Sequence, residues 1–273
     1  MRKTIVVGVT GSIAAYKVLD IVKQLKKHGH DVHVIMTEHA TRLVDPKEFE
    51  RASGNAVHIE LFDPSVNYKA YLKNNKVMQH ISLADEADII LVCPGTANVL
   101  AKVAYGIADD LLTTTILATA APVVFAPAMN VKMWKHPVTQ ENVQKLRGLG
   151  YIFIDPEYGE LACGYKGVGR LAGGDKIIEV VNQFLAKTSQ LEGKKVIVTA
   201  GATQEPIDAV RVITNRASGK MGAAIADEAF SRGAEVVLIR GKNAVSGRYH
   251  YEEIEVETAD EMLFVIKKEI DDP

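Results

Sequence analysis

The sequence has 273 residues, of which 47% are hydrophobic and 24% charged, a balance that supports a packed core and excludes a disordered chain. A net charge of −2 argues against a protein that neutralises a nucleic-acid backbone, and no apolar run approaches the ~20 residues that span a bilayer. Only two cysteines, Cys93 and Cys163, exclude a disulfide scaffold, fit a reducing cytoplasm and, with no histidine pair near them, suggest no metal site.

The predicted elements begin with Thr4–Val9, a β-branched apolar run typical of a strand buried on both faces; Gly8, Gly11 and Ser12 interrupt it too early for a signal peptide. Gly11 and Ser12 make a turn, Val18, Ile21, Val22 and Leu25 recur at helical spacing, and Gly29 stops the helix. Asp31–Met36 is the second strand. This strand–helix–strand order predicts an α/β fold, a flavodoxin-like or Rossmann-like doubly wound parallel sheet. Further strands are predicted over residues 88–93, 122–126 and 151–154, and helices over 96–104, 110–120, 139–149 and 175–187. Residues 159–174 read as a glycine-rich loop.

A polar joint at residues 188–190 divides a first domain, residues 1–187, from a second, residues 188–273. The grammar then restarts with a strand over 194–200, a helix over 219–232 and a strand over 235–239. The connection between the first two, residues 201–218, exceeds the usual length of a structureless loop and is expected to be functional. Few strands of the second sheet are in place by Pro273, so the second domain is expected to be a partial Rossmann-like one.

Ligands of open parallel sheets bind outside the carboxyl ends of the strands. Three predicted ends carry suitable groups: Gly11, Ser12 and Ile13 in the first turn, Thr37 after the second strand, and Thr96 and Asn98 after the strand over 88–93. Backbone N–H groups at helix starts add sites for a phosphate. Each hydroxyl is equally suited to capping a helix, and the first turn lacks the G-x-G-x-x-G spacing of dinucleotide sites. Three further segments stand out. His80 precedes an acidic stretch and a buried strand; Pro-Ala-Met-Asn-Val-Lys-Met-Trp at 127–134 follows another; Leu-Ala-Cys-Gly-Tyr-Lys-Gly-Val-Gly-Arg at 161–170 carries Cys163. Taken alone, Asn130 is a helix cap, His80 a structural partner, and a lone cysteine a small hydrophobe, as expected for Cys93.

These segments resemble the signature set of the homo-oligomeric flavin-containing cysteine decarboxylases, nearest the decarboxylase half of bifunctional proteins of coenzyme A biosynthesis. Residues 199–208 and 210–222 resemble the start of the phosphopantothenate–cysteine ligase half of those proteins, with Ala217 where the family usually has serine. The resemblance implies FMN-dependent decarboxylation of 4'-phosphopantothenoylcysteine to 4'-phosphopantetheine. It implies FMN contacts at Gly11, Ser12, Ile13, Thr37, Thr96 and Asn98. Asn130 would grip the substrate carboxylate, with Met133 and Ala162 beside the substrate. His80 would act next to the reacting carbon, and Cys163 would supply a proton in the final reduction. Asn215 would handle the acyl-cytidylate of a ligase using CTP and Mg2+. The family's later lysine-rich loop has no counterpart here, so decarboxylation without ligation is expected. Trimers of the first domain and pairing of the second are implied as well.

Other relatives remain as alternatives: flavin prenyltransferases, peptide-antibiotic decarboxylases, a non-enzymatic regulatory subunit that binds a phosphatase, and a plain NAD-binding protein. The Pro-Ala-Met-Asn segment with its downstream cysteine counts against the first, and the ligase-like second half against the second. The presence of His80, Asn130 and Cys163 counts against the third, and the missing dinucleotide spacing against the last.

Overall fold

The computed structural model describes residues 2–62, 77–160, 164, 166–186, 190–247, 249 and 251–271. The chain separates into two compact units, Met1–Leu185 and Ala186–Pro273. The first runs β1 (Thr4–Val9), α1 (Ala15–Lys27), β2 (Asp31–Met36), α2 (Glu38–Thr41), α3 (Pro46–Ser53), β3 (Val57–His58) and α4 (Gln79–Glu86). It continues through β4 (Ile89–Gly95), α5 (Ala97–Ala104), α6 (Leu111–Ala118), β5 (Val123–Pro127), α7 (Val131–Trp134), α8 (Pro137–Gly148) and β6 (Ile152–Phe153). β7 (Glu157–Glu160), β8 (Lys166–Arg170) and α9 (Gly174–Leu185) complete it.

Six strands form a parallel sheet in the order β3-β2-β1-β4-β5-β6. With the two-residue edge strand β3 the order is that of dinucleotide folds; without it, the order is that of flavodoxin-like sheets. The central strands read as continuous apolar runs because helices cover both faces: β4 is buried at every residue. On one face Val18, Ile21, Val22 and Leu25 of α1 pack with Ile5, Val7 and Val9. On the other, Leu100 of α5 and Leu111, Leu112 and Ile116 of α6 pack with Val6, Ile90, Val92 and Phe125. Each such side chain contributes about 1.5–3 kcal/mol by leaving water.

Capping sets the helix ends. The Asp110 side chain accepts from Thr113 N–H in a capping box that starts α6. α3, absent from the sequence expectations, starts on the Asp45 side chain with Pro46 in its first turn and ends at Gly54, φ +76°.

One expectation is corrected. Residues 159–174 are not a continuous loop, because β7 and β8 pair as an antiparallel hairpin. Their glycines serve close approach. A Cβ on Gly167 would stand 2.6 Å from Val131 Cγ2, and one on Gly169 2.3 Å from the Met129 carbonyl oxygen.

The second unit contains β9 (Lys195–Ala200), β10 (Gln204–Pro206), β11 (Val212–Thr214), α10 (Lys220–Ser231), β12 (Glu235–Gly241), β13 (Glu252–Val256) and α11 (Ala259–Asp271). Its parallel sheet has the order β13-β12-β9. The long connection carries the antiparallel pair β10–β11, whose β11 residues are all exposed. A half-buried ion pair, Lys195 to Glu269 at 3.2 Å, ties α11 to β9. Among the described residues no helix is long and apolar enough to cross a membrane.

Candidate functional site

The connection after β1 leads to β2 on one side of the sheet, while β4 lies on the other, so a crevice opens outside the carboxyl ends of β1 and β4. Hydrogen bonds knit this edge together. Thr37 N–H donates to Val9 O at 3.0 Å, Ser12 N–H to Thr10 O at 2.8 Å, and Ala128 N–H to Gly95 O at 3.1 Å. The Ser12 hydroxyl donates to Ala128 O at 3.3 Å, and Met129 N–H donates to Gly169 O at 3.0 Å. Thus the ends of β2, β1, β4 and β5 and the hairpin strand β8 are held in one connected row.

Most of the expected site residues of the first unit lie along this row. Gly11 has no room for a side chain, since a Cβ would stand 2.5 Å from His39 Cβ. Ser12 is half-buried and Ile13 exposed in the same turn. Thr37 precedes α2 without capping it, and its Oγ1 is buried with no hydrogen-bond partner among the described residues. Thr96 differs: its Oγ1 accepts from Val99 N–H at 3.4 Å, so this hydroxyl caps α5. Asn98 is exposed in the first turn of α5. Asn130 is half-buried at the start of α7, where its Oδ1 accepts from Lys132 N–H at 2.8 Å; Met133 is exposed one turn on.

His80 lies in the first turn of α4, whose Gln79 side chain contacts the ring of His58 at the carboxyl end of β3. This brings His80 to the same sheet edge. Its Nδ1 is buried without a partner among the described residues, and no described hydrogen bond joins it to Asn130 or Ser12. Burial, then the charge of His33, hold His58 below the ordinary histidine range. Ala162 and Cys163 lie outside the described residues. Cys93 is fully buried, and burial pushes its thiol well up, so it stays protonated and inert.

A buried hydroxyl without a partner and the start of α5 at a switch point suit a phosphate-bearing cofactor. A family model described as Flavoprotein matches residues 1–186. The chain belongs to the flavoprotein family. In this flavoprotein, residues 191–273 match a second model, the DNA/pantothenate metabolism flavoprotein C-terminal domain. The coenzyme A biosynthesis bifunctional protein CoaBC of Bacillus subtilis is 46% identical over 242 residues, covering 88% of this chain and 58% of that protein. That of Thermococcus kodakarensis is 43% identical over 275 residues, covering 98% of this chain and 63% of that protein. The flavoprotein therefore spans less than two thirds of the length of these relatives.

Among solved structures, a cysteine-to-serine mutant of a PPC decarboxylase complexed with pantothenoylaminoethenethiol gives a TM-score of 0.60 at 28% identity, covering 68% of this chain and 99% of that one. The FMN-dependent cysteine decarboxylase SpaF gives 0.56 at 32% identity, covering 67% and 97%.

In the second unit Asn215 is exposed, and its Oδ1 accepts from Ala217 N–H at 2.8 Å. Gly219, φ +75°, starts α10 against Gly201 and Ala244, where a Cβ would stand 2.7 Å from Ala244 Cβ. The end of β9 and the start of α10 thereby meet closely around Ala244. Sequence reasoning missed Thr10, a fully buried polar residue whose hydroxyl touches the end of β4. Its only local signal was a hydroxyl next to the Gly11 turn.

Proposed function

We propose that the first domain, residues 1–187, catalyses FMN-dependent decarboxylation of 4'-phosphopantothenoylcysteine to 4'-phosphopantetheine. Residues 188–273 then belong to a domain that joins 4'-phosphopantothenate to cysteine using CTP and Mg2+. The observation that carries this reading is the convergence of Gly11, Ser12, Thr37 and the start of α5 with the Asn130 segment at one sheet edge. The names of the relatives supply the substrate class.

When bound, FMN supplies a two-electron acceptor and donor, which gives loss of carbon dioxide from the cysteine end the electron sink it otherwise lacks. Ser12, Thr37, the Thr96 region and Asn98 would hold the cofactor, with Gly11 and Ile13 in the same turn as Ser12. Asn130 binds the substrate carboxylate through a neutral amide, which orients the group without a counter-charge that would retain it as an anion. The bond from Lys132 N–H sets the plane of that amide. His80 stands beside the reacting carbon, and Met133 and Ala162 flank the substrate. Cys163 would donate the last proton as an acid. The family resemblance supports a trimer of the first unit, pairing of the second units and a cytoplasmic location.

Purified protein should be yellow, release FMN on denaturation and convert phosphopantothenoylcysteine to phosphopantetheine, read by mass spectrometry. Colourless protein that takes up no added FMN would sink the reading. Cys163→Ser should release one carbon dioxide per flavin without forming phosphopantetheine; multiple turnover would remove Cys163 from its role. For the second unit, Mg2+–CTP should bind in a calorimetric titration, and absence of heat would withdraw the nucleotide assignment.

A further inference from the structure

The structure assigns Thr10 as a positioning residue that sets the width of the cofactor crevice, an inference that rests on the FMN reading above. The ladder between β1 and β4 runs from Ile5↔Ile89 to Gly8↔Val92 and stops there. Beyond that point the chain after β1 enters α1, which packs on one face of the sheet, while the chain after β4 enters α5 on the other. The two turns therefore diverge where the crevice begins. Thr10, fully buried, bridges them.

Its hydroxyl donates to Pro94 O at 2.5 Å, and Thr96 N–H donates to its Oγ1 at 3.3 Å. The roles are unambiguous, because a carbonyl can only accept and an N–H can only donate. One side chain thus continues the strand tie where the backbone ladder has ended. It also seats Thr96, whose own Oγ1 caps α5, and the carbonyl of Thr10 receives Ser12 N–H at 2.8 Å. Ser12 and the first turn of α5 flank the crevice, and both depend on Thr10 for their separation. Thr10 itself bonds to backbone on both sides.

The test is FMN affinity by fluorescence quenching in wild type, Thr10→Val and Thr10→Ser, with thermal midpoints of apo- and FMN-loaded protein. Valine keeps the shape and removes the hydroxyl from the buried Pro94 O and the part-buried Thr96 N–H; serine keeps the hydroxyl. Thr10→Val should bind FMN about tenfold more weakly or worse, the scale of an unsatisfied buried group. Thr10→Ser should restore affinity. A Thr10→Val protein with a lowered apo midpoint and wild-type FMN affinity would show a purely structural threonine and overturn the inference. Should Thr10→Val not fold, Thr10→Cys, with a weaker hydrogen-bonding thiol, replaces it under the same criterion. Wild-type protein that binds no FMN would instead overturn the functional reading on which the inference stands.

Discussion

Asn130 and Asn215 make the same local bond, each accepting through Oδ1 from the backbone N–H two residues on, both at 2.8 Å. Their surroundings differ. Asn130 is half-buried after β5, a strand buried at every residue, and its neighbour Met129 is bonded to β8. Asn215 is exposed after β11, a strand exposed at every residue in a two-stranded pair. Such a pair has little stability of its own in water. The comparison teaches that the asparagine turn is a local device, while its electrostatic strength is set by packing. A half-buried amide acts in a lower effective dielectric, and an exposed one competes with water.

The largest expected effect tests that contrast directly. On the proposed function, Asn130→Asp would place a carboxylate beside the substrate's own. At about 4 Å and an effective dielectric of 20 the repulsion is about 4 kcal/mol, roughly a thousandfold in decarboxylation rate. FMN should remain bound. Asn215→Asp should leave decarboxylation unchanged. Equal losses in the two variants would break the comparison.

A smaller effect separates the packing of the two units. Trp134, the only tryptophan, lies in the first unit and reports its unfolding. Gly169→Ala should destabilise that transition in urea by about 1–3 kcal/mol, because the added carbon meets the Met129 carbonyl. Gly201→Ala, at φ +80° and 2.4 Å from Ala244 Cβ, strains the second unit and should leave the Trp134 midpoint where it was. A shift in the Trp134 midpoint with Gly201→Ala would show that the units do not unfold separately.

The smallest effect concerns pH. Burial and His33 depress the His58 pKa, so the unfolded chain takes up a proton that the folded chain resists as pH falls past about 6.5. Stability of the first unit should be complete at neutral pH and decline below that value, by less than about 1.4 kcal/mol per pH unit. His58→Gln should flatten the decline, measured as the urea midpoint of Trp134 fluorescence. An unchanged slope would assign the proton to another group.

Much of the fold was legible in sequence, to the residue in β1 and β2. Thr4–Val9 and Asp31–Met36 are β-branched runs closed by turn signals, and neighbouring residues alone carry that information. β4 was read short, because its extension to Gly95 depends on pairing with Pro127 across the sheet. The β7–β8 hairpin was misread because Gly159, Gly167 and Gly169 signal flexibility in sequence, whereas here they make room for Arg170, Val131 and the Met129 carbonyl.

The site divides in the same way. The sequence by itself determined the strand–turn–helix order, since this rests on local pattern. Only tertiary structure decided which hydroxyl does what. Thr37 and Thr96 both follow a strand and precede a helix, yet Thr96 caps α5 while the Thr37 hydroxyl is buried without a partner. Only tertiary structure, too, brought Thr10 to Pro94 and Thr96, 84 and 86 residues away along the chain. A hydroxyl's role depends on the partners that distant strands bring within hydrogen-bond reach, and local pattern does not contain that distance.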